Sequence, residues 1–365
     1  MSLLPARRGS TADESLFAAR HGPSREPPRS SAGLNAWFVI AGATVSLVIA
    51  VSLFSRFSID GTLARDEAIY AYAGQQQAQG TPFYVSIVDQ KTPLGSMIAA
   101  AAVTIGRAVG ADDLSAIRIM FFVFACLTVV AAYLLATWLF ESPLIGLVAA
   151  ASFASFKEFA LGALTGPQVK QPAVFFAVLS MALIVRRGYF WGAFAGSLAF
   201  LVWQPLVVFP IVALAAAALA TAADRKWKRF GRACAGAAIP LGGTALYFWL
   251  VDALDELVAA AFVFPVTYLE RTDESLLERL QRIVSVVDRH YDRAEVLFWG
   301  GLVILLGLLA VRVAQRRSDI WAMVRDDAYV HVVVASLLPI AAFSATDFQG
   351  SADLYPLLPY AAIGV

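Results

Sequence analysis

Long apolar runs alternate along this chain with short polar segments, and the lengths of those runs set its architecture. The first run covers residues 36–57, enough for a helix to cross an apolar core of ~30 Å. Runs at about 116–140, 143–161, 172–185, 189–203, 205–223, 233–251, 294–313 and 328–346, with a last one from 354, read as further spans. The uncharged stretch 189–223 is too long for one crossing. Pro205 lies near its middle, removes a helix donor and divides it into two antiparallel spans. Gly188, Gly192 and Gly196 form a small-residue stripe suited to close helix packing. The chain stops at Val365, about twelve residues into its last apolar run. That suits either a shortened protein or a segment that only dips into the membrane.

The polar segments decide which way the spans point. Residues 1–35 are rich in Ser, Pro, Gly and Arg and have no apolar core, so they read as a disordered tail rather than a signal peptide. Arg7, Arg8, Arg20, Arg25 and Arg29 hold that tail in the cytoplasm. The first span then delivers segment 58–115 to the outer face. The run 93–109 inside it is short, Ala-rich and opens on a proline. If it does not cross, Arg186 and Arg187, the basic run 225–229, and Arg312 with Arg316 and Arg317 all fall in the cytoplasm; if it crosses, all fall outside. It therefore reads as a juxtamembrane or re-entrant helix, tolerated where it is buried against protein or lines a cavity. A second outer segment, 252–293, carries Leu276, Leu277, Leu280, Ile283 and Val284 at helical spacing among Glu278, Arg279 and Arg282. It reads as an interfacial amphipathic helix, the alternative being a solvated loop.

Composition agrees with the pattern. Of 365 residues 59% are hydrophobic and only 15% charged, against about 25% in soluble domains. The mean hydropathy is +0.69. The class is an all-α polytopic membrane protein with about 9–10 transmembrane helices, a cytoplasmic N-terminus and the lipid bilayer as its surroundings. The net charge of +1 gives no argument for a nucleic-acid partner. Cys126 and Cys234 lie inside apolar runs and read as small core residues; His21, His290 and His331 lack ligand spacing. The chain has no nucleotide-binding, zinc or triad motif.

What remains for chemistry is concentrated just after the first span. Asp66 and Glu67 sit between Leu63-Ala64 and Ala68-Ile69, partly apolar surroundings that desolvate a carboxylate and favour a general base. The pair could equally hold a divalent cation, Mg or Mn, bridging to phosphate oxygens, or pair with Arg65. Asp89 and Lys91 precede the proline that opens run 93–109. A lysine there suits a phosphate leaving group, although a snorkelling lysine explains it too. Gln168 and Lys170 either reach a sugar or phosphate or simply form a polar turn. Lys157 and Glu158 lie near the outer end of their span and either form a local polar patch or line a cavity. Arg118 either contacts phosphate or simply caps its helix.

The order of these elements resembles a known group. An acidic pair (Asp66, Glu67), then Gly80-Thr-Pro-Phe-Tyr84, then Asp89-Gln-Lys-Thr-Pro-Leu94 is similar to the first outer loop of GT-C glycosyltransferases. The group in question contains the protein O-mannosyltransferases, aminoarabinose transferases and dolichyl-phosphate-mannose mannosyltransferases. The late stretch Tyr355-Pro-Leu-Leu-Pro359 resembles it as well. Thr92 departs from it, standing where the group usually has proline. The resemblance implies a GT-C-like bundle over 36–365 and inverting transfer of a sugar, mannose or another hexose or pentose. The donor would be a polyprenyl- or dolichyl-phosphate sugar in the outer leaflet; the acceptor would be a lipid-linked glycan or a protein. It implies Asp66 as base, Glu67 assisting and Lys91 on the donor phosphate; Arg118 and Lys170 are further candidates for that phosphate from their positions. Arg65, Tyr70, Tyr84, Asp89, Gln168 and Tyr355 would contact substrate, and no residue is assigned to a metal. The rival classes are a transporter or flippase for an anionic or lipid-linked substrate, and a non-catalytic partner with the same fold. Either needs no base, and a transporter adds charges near mid-bilayer and a repeat between halves.

Overall fold

The computed structural model describes residues 35–365 apart from 60, 86, 88, 221–225, 268–274 and 317–318. The tail expected over 1–35 lies outside the described residues save its last. Among the described residues every regular element is helical. In order these are α1 (Ala36–Phe54), α2 (Arg65–Ala78), α3 (Leu94–Ala108), α4 (Asp113–Phe140), α5 (Pro143–Ala154), α6 (Lys157–Thr165), α7 (Lys170–Val185), α8 (Tyr189–Val202) and α9 (Val208–Leu219). Then follow α10 (Lys226–Leu250), α11 (Leu254–Val258), α12 (Phe264–Thr267), α13 (Leu276–Tyr291), α14 (Glu295–Gln315), α15 (Ile320–Asp326), α16 (Ala328–Val332), α17 (Leu338–Thr346) and α18 (Leu358–Gly364). A 3₁₀ turn, Gln204–Val207, joins α8 to α9, and a second, Ser351–Leu357, leads into α18.

The chain is a multi-pass membrane protein. Five of its helical stretches are long and apolar enough to cross a bilayer, and the bent pair of α5 and α6 makes a sixth. The expected spans 172–185, 189–203 and 205–223 appear as shorter apolar helices of 10–17 residues. The uniform run 143–161 is a correction to the sequence reading. The helix stops at Ala154, where the Ser155 hydroxyl turns back to donate to the Ser152 carbonyl at 2.6 Å, and the chain restarts at Lys157 bent by 60°.

Close backbone approach holds the bundle, as small residues in the apolar runs allow. A Cβ on Gly196 would meet the backbone nitrogen of Pro210 at 2.7 Å, so α8 and α9 pack without side chains between them. One on Gly236 would meet the Phe190 carbonyl oxygen, locking α10 against the start of α8. One on Gly74 would meet Ala99, seating α2 on α3. The last segment is buried throughout, with α18 against α14 at Gly301.

The bundle has two distinct ends. The α1–α2 connection, the start of α3 and the N-terminus of α7 gather at one. There Gly95 at the head of α3 packs on Val169 just before α7. The buried Arg118 guanidinium, in the second turn of α4, donates to the Thr165 carbonyl at 3.1 Å and to the Gly61 carbonyl. Thus α3 starts beside α7 and hands the chain to α4 at the same end. The other end lies one α7 length away, about 24 Å at 1.5 Å per residue. It carries Arg186, Arg187, Arg229, Arg232, Arg312 and Arg316.

Candidate functional site

Helix α2 begins directly after an extended Ala64, so Asp66 and Glu67 fall in its first turn, where the helix dipole favours negative charge. Adjacent helical positions point in different directions, and the two acids separate. The Asp66 side chain is 67% exposed and faces Lys91, its Oδ2 3.7 Å from Nζ. Glu67 is buried at 8% exposure because it backs onto Gly166, where any Cβ would strike its own side chain. Its Oε1 accepts from the Gln168 amide at 3.2 Å, and its buried Oε2 has no partner among the described residues. Of the two, only Glu67 has the desolvated setting expected from the sequence.

Lys91 is positioned from several sides. Its amine donates to the Tyr70 hydroxyl at 2.5 Å, one α2 turn beyond Asp66, and lies over the same ring. Its backbone N–H donates to Asp89 Oδ1 at 3.3 Å, and its carbonyl accepts from the Tyr84 hydroxyl at 2.5 Å. Thr92, buried, donates its hydroxyl to the Phe200 carbonyl at 2.9 Å and so pins the turn to α8. A proline at that position has no hydroxyl for this bond. Tyr70 stays protonated well beyond the ordinary phenol range because it is buried and faces the Asp89 and Asp66 carboxylates. Burial, then Asp89, does the same for Tyr84.

Lys170 stands at the N-terminus of α7 near Lys91 and Asp66, close enough for their charges to act on it. It is ion-paired with the nearly buried Asp353, and its amine lies 4.8 Å over the Trp203 ring. Asp353 also accepts from the Gln349 and Gly350 N–H groups at 2.7 and 3.0 Å. Asp353 and Trp203 were not singled out in the sequence. The only available signal for Asp353 was a carboxylate at the head of a buried run. Gln204 adds a further tie, donating to the Ala261 carbonyl at 3.0 Å and to the Gln90 carbonyl.

Three sequence candidates make contacts of another kind. Arg118 is committed to the backbone carbonyls of Gly61 and Thr165, which leaves Lys91 and Lys170 as the cations beside the acids. The buried Tyr84 ring packs against Phe248, and its hydroxyl holds a main-chain carbonyl. Tyr355, 2% exposed, donates to the Glu158 carbonyl at 2.9 Å and stacks edge-on with Phe159. All three bond to main-chain carbonyls. Arg65 is exposed, and Asp66 pairs with Lys91 rather than with it. Glu158 accepts from Ser351 at 3.0 Å and lies 3.3 Å from His290. These border a cleft of about 580 Å³ lined by Lys157, Arg289, His290 and Arg293, apart from Asp66 and Lys91.

The donor set does not fit a preformed cation site. Asp66 faces a lysine, Glu67 faces an amide, and among the described residues no three His, Cys, Asp or Glu side chains converge.

No known family and no curated protein matches the sequence. Solved structures do. The chain is similar to ArnT from Cupriavidus metallidurans bound to undecaprenyl phosphate, with a TM-score of 0.58 and 15% identity over 91% of this chain and 60% of that one. It is similar also to the same protein in the apo state, with a TM-score of 0.55 and 15% identity over 90% and 59%. The chain therefore shares the fold of these ArnT structures, and it spans about three fifths of their length.

Proposed function

We propose that this chain is a membrane glycosyltransferase that moves a sugar from a polyprenyl-phosphate donor to an acceptor hydroxyl at the end of the bundle holding Asp66 and Lys91. The observation that carries this reading is the Asp66–Lys91 pair, 3.7 Å apart, with a second lysine beside it and a buried acid behind it. The fold supports the same donor class, since its neighbour binds undecaprenyl phosphate.

In this scheme the donor phosphate takes Lys91 from Asp66 and frees the carboxylate. The acceptor oxygen then bonds to the anomeric carbon as the bond from that carbon to the phosphate oxygen breaks. The electron pair leaves with the lipid phosphate, and the acceptor proton passes to Asp66. One displacement inverts the anomeric centre. Lys91 offsets charge as it grows on the leaving oxygen, which is worth more where water is excluded. Lys170 adds positive field but is held by Asp353. The unpartnered Oε2 of Glu67 is placed to accept a hydroxyl of the sugar or acceptor. The basic end is cytoplasmic and the site faces the outer leaflet, as the distribution of Lys and Arg favours. Mannose and dolichyl carriers belong to the resemblance alone, and the donor class is read no finer than a polyprenyl-phosphate sugar.

The test is a screen of polyprenyl-phosphate sugars on the purified chain with product analysis by mass spectrometry. Turnover of one donor class is expected, with Lys91→Met lowering kcat by about 10²–10³-fold, the loss typical of one lost transition-state donor. Equal turnover by Lys91→Met would remove the phosphate role.

A further inference from the structure

At the opposite end of the bundle, the turn between α7 and α8 and the first turns of α10 enclose a cavity of about 460 Å³. It is lined by Arg187, Arg229 and Arg232 together with Tyr189, Phe190 and Trp191. The other arginines of this end differ in kind: Arg312 and Arg316 both pair with Asp327, at 3.3 and 3.4 Å. None of the three cavity arginines makes an ion pair or side-chain hydrogen bond among the described residues. Asp326, with Arg187 and Arg229, lies within electrostatic reach of Tyr189 and is itself paired with Arg325 at 3.0 Å. Three arginines thus line one hollow, and the carboxylate that acts on Tyr189 there is already engaged.

The cavity is built rather than incidental. Gly236 of α10 meets the Phe190 carbonyl in direct backbone contact, and Gly192 of α8 packs on Ile184 of α7, so the three helices meet without play. The Ser180 hydroxyl donates to the Gly192 carbonyl at 2.7 Å. Arg187 has φ 59°, a left-handed conformation uncommon for a side-chain-bearing residue, and it turns the chain at the rim. Trp191 in the lining is 58% exposed, and Trp227 in the first turn of α10 is 78% exposed. Exposed tryptophan beside arginine at the ends of apolar helices is the composition of a bilayer interface.

We infer that this cavity binds the phosphate headgroup of an anionic glycerophospholipid. The arginines supply charge-assisted, fork-shaped donors that match phosphate oxygens. Basic pockets between membrane helices hold headgroups in this way. The aromatic rim and the position at the helix ends favour a lipid, whose chains continue into the bilayer, over free phosphate. The inference stands independently of the catalytic proposal.

Native mass spectrometry of the full chain, released from nanodiscs containing phosphatidylglycerol and phosphatidylcholine, tests it. Retained phosphatidylglycerol is expected over phosphatidylcholine. Each basic group near a lipid surface contributes roughly fivefold in affinity. The variant Arg187→Gln/Arg229→Gln/Arg232→Gln should therefore bind phosphatidylglycerol about 100-fold more weakly, and Lys226→Gln/Lys228→Gln, outside the cavity lining, should keep the selectivity. If the triple variant does not fold, Arg229→Gln alone should lose about fivefold. Equal retention of both lipids by the unmodified chain, or selectivity that survives the arginine substitutions, overturns the inference. So does displacement of the lipid by millimolar inorganic phosphate, which would make free phosphate the ligand.

Discussion

Lys91 is held by its own backbone as much as by its amine, and Tyr84 is the residue that makes the difference. Its hydroxyl donates to the Lys91 carbonyl while its ring is buried against Phe83 and Phe248. Tyr84→Phe removes that bond, worth about 1 kcal/mol. A fivefold fall in kcat with little change in KM is expected; an unchanged kcat would show that the turn holds itself. A pH effect follows from the same groups. The folded pKa values of Tyr70 and Tyr84 are raised, chiefly by burial. Their contribution to stability is full below the ~10 of a free phenol and is lost as the pH rises through the folded values. Melting temperature should therefore fall from about pH 10 upward, less steeply in Tyr84→Phe, and a flat profile would contradict the burial. At this scale the sequence displayed Asp66, Glu67 and Lys91 because charge is rare in so apolar a chain. It did not show that Thr92 works through its hydroxyl, nor that Lys170 pairs with Asp353, because the partners are 108 and 183 residues apart. Nor did it show that the Tyr84 and Tyr355 hydroxyls bond main-chain carbonyls, because side-chain direction depends on packing.

Among the elements, the short helices α2 and α3 decide whether the acids and Lys91 meet. Gly74 and Ala99 seat one on the other, and Gly95 fits the head of α3 to Val169. Arg118 fastens this assembly by joining α4 to the carbonyls beside α2 and α6. Arg118→Met should cost about 1–3 kcal/mol, because two part-buried carbonyls lose a charged donor. A lowered melting temperature in detergent is expected, with the remaining folded protein keeping more activity than Lys91→Met. An unchanged melting temperature would return Arg118 to a substrate role. Apolar run length gave the long helices correctly because a bilayer imposes it. It missed the break after Ala154, since no proline or glycine marks it and only Lys157-Glu158 interrupts the pattern. The amphipathic segment is a helix, α13, opened by a Ser275–Glu278 capping box that the pattern of leucines did not disclose. Its leucines divide from the buried Ile283 and Val287, with Leu276 and Leu277 60% and 65% exposed.

The molecule as a whole has two ends of different chemistry. One gathers acids and lysines around a candidate transfer site, and the other gathers arginines. Cysteines introduced at Asp66 and Trp227 in a background lacking Cys126 and Cys234 should label from opposite sides of sealed vesicles. Labelling from one side would overturn the topology. The fold matches ArnT over nearly the whole of this chain, yet at 15% identity the match carries the architecture and leaves the chemistry to the residues. The most direct measurement is sugar transfer from a polyprenyl-phosphate donor by the purified chain and by Asp66→Asn, both checked for folding. The account predicts turnover by the first and a loss of at least about 10²-fold in the second, the lower range for a missing general base; equal turnover by the two would contradict it.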